Sequence, residues 1–258
     1  MNRPLIISIS GKGGTGKTTL TALLLKVLLH KGIDEDILVV DADPAANLPE
    51  VLGVKVEKTI GTVVEEFRKA VNDPRVAVGF SKETLLEAWI YETLVELPNY
   101  DLLVMGRGEG EGCYCYINAV LTKILSKLVT NYDIVLMDME AGLEHISRRT
   151  DRHVNTMIIV TDPSVMGFKT AERIKELLKE VRIEVEKLYV VGNRFPKYME
   201  KTLISWANKV GIEVAGIIPE DPKIYEYNIL GKSLLELPYD SPAVRAAELI
   251  AKRIGLLR

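Results

Sequence analysis

Nine residues near the start of the chain, GKGGTGKTT from Gly11 to Thr19, have the types and spacing of a phosphate cradle. They fit the pattern G-x-x-x-x-G-K-[ST] through Gly11, Gly16, Lys17 and Thr18. Glycines at 11, 13, 14 and 16, with Thr15 between them, let backbone N–H groups turn inward around phosphate oxygens. The helix expected from Lys17 onward adds the positive end of its dipole. Lys17 neutralises charge on the β- and γ-phosphates, and the Thr18 hydroxyl is suited to Mg²⁺, with Thr19 completing the loop. A chance glycine turn is the bland alternative; it would not need an apolar strand before it and a helical pattern after it, and this loop has both.

Acidic residues recur where further strands should end. VVDADPAANL carries Asp41 and Asp43, and VLMDMEAG carries Asp138. Carboxylates at the C-terminal ends of neighbouring parallel strands face the crevice in which ligands of such sheets bind. Aspartates that merely cap the next helix are the competing reading, strongest for Asp41. The other role for Asp41 is the outer shell of the Mg²⁺.

Both cysteines of the chain lie in GEGEGCYCYIN, as Cys113 and Cys115. A disulfide between them would close a very small, strained ring. Two inert loop thiols are one alternative and a metal site is another. Two thiolates cannot complete a tetrahedral site, but a symmetric dimer supplies two more; a Cys₄ site then suits Zn²⁺, and Ni²⁺ is also admitted. The helical pattern INAVLTKILSKL downstream would place a helix N-terminus beside the thiolates.

The elements that must position these residues are legible. The runs LIISIS, ILVVDAD, DLLVMGR, YDIVLMDM, TMIIVTD, KLYVVGN and EVAGIIPED read as strands. Most are continuously apolar, as strands covered on both faces of a parallel sheet are. Helical patterns alternate with them: KTTLTALLLKVLLHKG, ending at the capping residue Gly32; SKETLLEAWIYETLVEL from Ser81; GFKTAERIKELLKEV; YMEKTLISWANKVG; and SPAVRAAELIAKRIGLL. The alternation predicts an α/β fold, a doubly wound, mostly parallel β-sheet flanked by helices. A single domain over 1–258 is expected, with a mostly helical insertion at about 45–100.

The whole-chain balance is that of a globular protein: 258 residues, 47% hydrophobic and 27% charged, with a net charge of −3. That charge leaves no basic footprint for nucleic acid. No apolar run is long enough to cross a bilayer, and a cleavable leader would destroy the glycine loop, so a cytoplasmic location without a membrane partner is expected.

Lys12 extends the loop to K-G-G-x-G-K-T-T, and this form resembles the deviant Walker A loop of the MinD/ParA/nitrogenase iron protein group of P-loop ATPases. The resemblance implies that Lys12 reaches the nucleotide of a partner subunit in a face-to-face homodimer. It further implies that Asp138 holds Mg²⁺ through water, that Asp43 orients the attacking water, and that EAGLEH, Glu140 to His145, is a switch containing Gly142. Asn193 stands where that group has an asparagine bonded to adenine, and Pro219 and Glu220 are candidates for base contacts. No N-K-x-D follows, which favours ATP/ADP over guanine nucleotides. With CYC and DMEAGLEH added, the chain resembles the CooC-type accessory ATPases of carbon monoxide dehydrogenase maturation over almost its whole length. That implies one metal shared by the cysteines of two subunits and nickel insertion into a carbon monoxide dehydrogenase client, driven by ATP hydrolysis. The alternative function is a MinD/ParA-like positioning ATPase acting on membrane or DNA. An iron–sulfur electron donor would need cysteines on two segments, and this chain has one.

Overall fold

The computed structural model describes residues 3–71, 81–107, 115–140, 153–180 and 184–257. The first half runs β1 (Leu5–Gly11), α1 (Lys17–Lys31), β2 (Ile37–Asp41), α2 (Leu48–Leu52), α3 (Ile60–Val71) and α4 (Lys82–Tyr91). Next come β3 (Val95–Leu97), β4 (Tyr100–Val104), α5 (Cys115–Val129), β5 (Ile134–Asp138) and β6 (His153–Thr161). The chain continues through α6 (Val165–Glu180), β7 (Glu184–Asn193), α7 (Glu200–Val210), β8 (Glu213–Ile218), α8 (Pro222–Ile229) and α9 (Pro242–Arg253).

The strands form one eight-stranded sheet in the order β3-β4-β2-β5-β1-β6-β7-β8. Every pairing is parallel except that of β3 with β4. The expected doubly wound sheet is therefore present, with β1 at its centre. Strands β2 and β5 are buried at every residue, which explains their unbroken apolar runs. Helix α1 is apolar on nearly all sides and lies inside one core layer with α2 and α9; the other layer is built with α3 to α7. Gly32 ends α1 in the left-handed region (φ 59°), and Ser81 caps α4 by accepting the Thr84 N–H, both as the sequence suggests. Ala243, Val244, Ala247, Ile250 and Ala251 of α9 are buried, so this amphipathic helix is spent on the core. Among the described residues no helix is long and apolar enough to cross a membrane.

Two elements differ from expectation. The run SKETLLEAWIYETLVEL is not one helix: α4 stops at Tyr91 and Val95–Leu97 becomes a strand. Pro98 and Asn99 supply a two-residue turn that folds Leu97 back onto Tyr100, and cross-strand pairing overrides helix propensity. Helix α8 was not foreseen, although Asp221 caps it through Lys223 N–H and Pro222 opens it.

Candidate nucleotide site

The phosphate loop leaves the end of β1 and turns into α1 at Lys17. At Gly16 the backbone takes φ 93°, and a Cβ there would lie 2.1 Å from Asn193 Nδ2, so only glycine fits. Thr15 is buried; its hydroxyl donates to the Lys12 carbonyl at 2.8 Å and its N–H to the same oxygen at 3.3 Å. From the end of β7, Asn193 Nδ2 donates to the Thr15 carbonyl and Arg194 Nη2 to the Gly14 carbonyl, each at 2.7 Å.

A cleft of about 500 Å³ opens over this loop. Gly13, Gly14, Gly16, Lys17, Thr18, Thr19 and Asp43 line it, as do Asn193 and Pro219. The structure thus brings together most of the residues that the sequence singled out. Lys17 is buried at the helix start, whereas Lys12 is half-buried at the loop's beginning. Glu220 does not line the cleft: it is exposed, and its Oε1 accepts the Tyr225 hydroxyl at 3.2 Å. Asn193, expected at the adenine, directs its amide nitrogen to the loop carbonyl.

The three aspartates have different surroundings. Asp41 is wholly buried, with Oδ1 accepting Asp43 N–H at 3.1 Å and Oδ2 accepting Leu48 N–H at 3.0 Å. Burial pushes its carboxyl up to about 6 against those two bonds. Its bond from Leu48, the first residue of α2, is that of the helix-capping role considered from sequence. Asp43 is half-buried at the cleft and uses Oδ1 to accept Ala45 N–H at 2.9 Å. Asp138 is 1% exposed and accepts the Thr18 hydroxyl on Oδ2 at 2.6 Å. Burial drives its carboxyl up to about 7, helped by the negative charge of Asp41 and opposed by the Thr18 bond and Lys17.

Among the described residues, Asp138 Oδ1 is buried without a hydrogen-bond partner. An orphaned carboxylate oxygen costs about 1–3 kcal/mol or more, so such an atom is suited to accept from a bound ligand. With the Thr18 hydroxyl beside it, the pair fits hydrated Mg²⁺: the hydroxyl to ligate and the carboxylate to accept from a bound water. Among the described residues no group of three or more His, Cys, Asp or Glu could hold a metal ion. Cys113, Gly142 and His145 lie outside the described residues, as does the side chain of Cys115; the Cys115 backbone opens α5, two residues ahead of the helix expected from Ile117. Of the expected switch, Glu140 is described, its carbonyl accepting the Ser10 hydroxyl at 3.0 Å.

Residues 6–234 match the family model described as the CobQ/CobB/MinD/ParA nucleotide binding domain. The chain belongs to this family. It is 45% identical over 250 residues to an uncharacterized ATP-binding protein of Methanocaldococcus jannaschii, covering 97% of this chain and 98% of that protein. It is 29% identical over 254 residues to the carbon monoxide dehydrogenase accessory protein CooC of Rhodospirillum rubrum, covering 94% and 86%. Among solved structures, the MinD cell division protein of Aquifex aeolicus superposes with a TM-score of 0.69 at 24% identity, over 98% of both chains, and shows the shared fold.

For this CobQ/CobB/MinD/ParA member, sequence reasoning missed part of the cleft's lining. Val51 of α2, Ile224, Tyr225 and Asn228 of α8, and Arg194 also line it. The Asp-Pro start of α8 was the available signal for that helix; Arg194 had none beyond following Asn193.

Proposed function

We propose that the chain is a single-domain, cytoplasmic ATPase that hydrolyses Mg·ATP as a homodimer and uses the cycle to deliver a metal. The observation that carries the ATPase reading is that Lys17 and Thr18 line one cleft, with the Thr18 hydroxyl donating to Asp138, whose Oδ1 has no partner among the described residues. Lys17 offsets phosphate charge, and the loop amides hold the β-phosphate oxygens. When held at Thr18 and Asp138, Mg²⁺ supplies charge neutralisation across the β- and γ-phosphates. Asp43, with Oδ1 spent on Ala45, has Oδ2 to orient a water toward the γ-phosphorus. Water oxygen bonds to phosphorus, the bond to the β–γ bridging oxygen breaks, ADP leaves with that electron pair, and the water's proton passes to the phosphate oxygens to give inorganic phosphate. Lys12 from the partner copy stabilises the charge on the leaving side.

Metal delivery rests on the C-x-C pair in the sequence, whose Cys115 opens α5, and on the 29% likeness to a carbon monoxide dehydrogenase accessory protein. In this reading Cys113 and Cys115 of two copies enclose one Ni²⁺ or Zn²⁺ as cargo, and a nickel-containing carbon monoxide dehydrogenase is the client. Metal and ATP then favour the same dimer and bind cooperatively. A MinD/ParA-like positioning role on membrane or DNA is the second reading, and membership of the CobQ/CobB/MinD/ParA family supports it equally. The test is the C113S/C115S variant: metal-dependent dimerisation should vanish while basal ATP hydrolysis survives. Dimerisation by metal that persists without both thiols removes the cargo site.

A further inference from the structure

Asn193 and Arg194 grip the phosphate loop by two consecutive carbonyls, those of Thr15 and Gly14. A trans peptide plane carries its C=O and N–H on opposite sides, so turning one turns the other. With the Gly14 carbonyl held by Arg194, the Thr15 N–H is directed away from β7, where it meets the Lys12 carbonyl and closes the turn. With the Thr15 carbonyl held by Asn193, the Gly16 N–H is likewise directed away from β7. Only nitrogen can donate to a carbonyl, so the Asn193 amide has one orientation here.

Arg194 adopts φ 56°, a conformation that, among the described non-glycine residues, only Ala46 shares. Side chains enter this region reluctantly, and such strain persists where the surroundings over-determine it. Two bonds do so: Arg194 N–H donates to the Ile218 carbonyl of β8 at 2.9 Å, and Nη2 donates to Gly14 at 2.7 Å. The left-handed turn lets two adjacent side chains reach the same loop.

We infer that Arg194 is a positioning residue for nucleotide binding: its guanidinium fixes the Gly14–Thr15 peptide plane, whose N–H closes the turn on the Lys12 carbonyl, and so holds the loop in the shape that leaves the following amides to phosphate. The reading rests on the cleft holding a nucleotide and not on hydrolysis or metal delivery. Its ligand class is a nucleoside di- or triphosphate, because those amides serve the phosphates common to both.

The test is the binding of a fluorescent ADP analogue, at low and high salt, to the full chain and to the R194G and R194K variants. Glycine accepts φ 56° without strain, so R194G should keep its melting temperature within about 3 °C of the parent protein. Its ADP affinity should nevertheless fall roughly tenfold, and equally at both salt concentrations, with R194K intermediate. Binding by R194G within twofold of the parent overturns the inference. A loss that disappears at high salt assigns Arg194 to charge attraction alone, and one accompanied by a large fall in melting temperature assigns it to general stability; either also overturns the inference. Failure of the parent protein to bind ADP would instead count against the cleft itself.

Discussion

Thr18 donates its hydroxyl to Asp138 Oδ2 at 2.6 Å, while Asp138 Oδ1 is buried with no partner among the described residues. The pair places a nearly satisfied carboxylate at the head of α1 and holds one acceptor in reserve. That reserve costs stability in the nucleotide-free protein.

The sign of the cost is testable. Burial raises the Asp138 carboxyl from 3.8 to about 7, so the folded protein holds an extra proton between those values. The stability this contributes is full below about pH 4 and is lost as pH rises through about 7. D138N should therefore melt about 3–6 °C above the parent protein at pH 8, with the gap closing toward pH 4. Mg·ADP should raise the melting temperature of the parent protein more than that of D138N. A D138N variant less stable at pH 8 would mean that the orphaned oxygen carries no cost.

Gly16 and Asn193 form a second dependent pair. G16A would put a methyl group 2.1 Å from Asn193 Nδ2 at φ 93°, and it should reduce nucleotide affinity by about 50-fold or more. G16A/N193A removes the clash, leaves the backbone strain, and should recover part of the lost melting temperature. Calorimetric titration and thermal melts read both; near-normal affinity in G16A would contradict the packing.

Lys12 should act across the dimer. K12A should bind ATP within about threefold of the parent protein yet hydrolyse it at least a hundredfold more slowly. Mixing K12A with D43A should restore activity, because one site of the mixed dimer then has Asp43 from one chain and Lys12 from the other. Lack of complementation would place Lys12 in its own subunit's site.

Much of this site was readable because its chemistry is local. Gly11 to Thr19 is one contiguous segment, and strand ends announce Asp43 and Asp138 by their position after apolar runs. The wall formed by Val51, Ile224, Tyr225 and Asn228 was not readable, since two helices far apart in sequence create it only after the sheet forms. Strand β3 was hidden for a similar reason: Val95–Leu97 has helix-compatible neighbours, and only pairing with β4 decides it. Arg194 carries no motif; its role comes from a backbone turn and a carbonyl 180 residues earlier.

Away from the cleft, Glu248 ties α9 to the end of α1. It accepts from Lys31 at 2.7 Å, from Lys252 at 3.0 Å and from the Tyr239 hydroxyl at 2.8 Å, and His30 stacks on Tyr239 at 3.6 Å. Those bonds, the one from Lys31 foremost, hold its carboxyl down at about 2. A lowered carboxyl contributes stability above its unfolded value of 4.5 and loses it as pH falls toward 2. E248Q should lower the melting temperature by about 1–3 °C at pH 7, a modest effect because the cluster is solvent-screened, and the gap should narrow by pH 3. An unchanged melting temperature at pH 7 would show the cluster to be energetically idle.

The most direct measurement is a nickel titration of the ATP-bound protein, with metal content and molecular mass read on the same sample. The account predicts dimers holding about 0.5 metal per chain, and neither metal nor metal-driven dimer in C113S/C115S. A parent protein that binds no nickel or zinc, or a double-serine variant that binds either equally well, would contradict it.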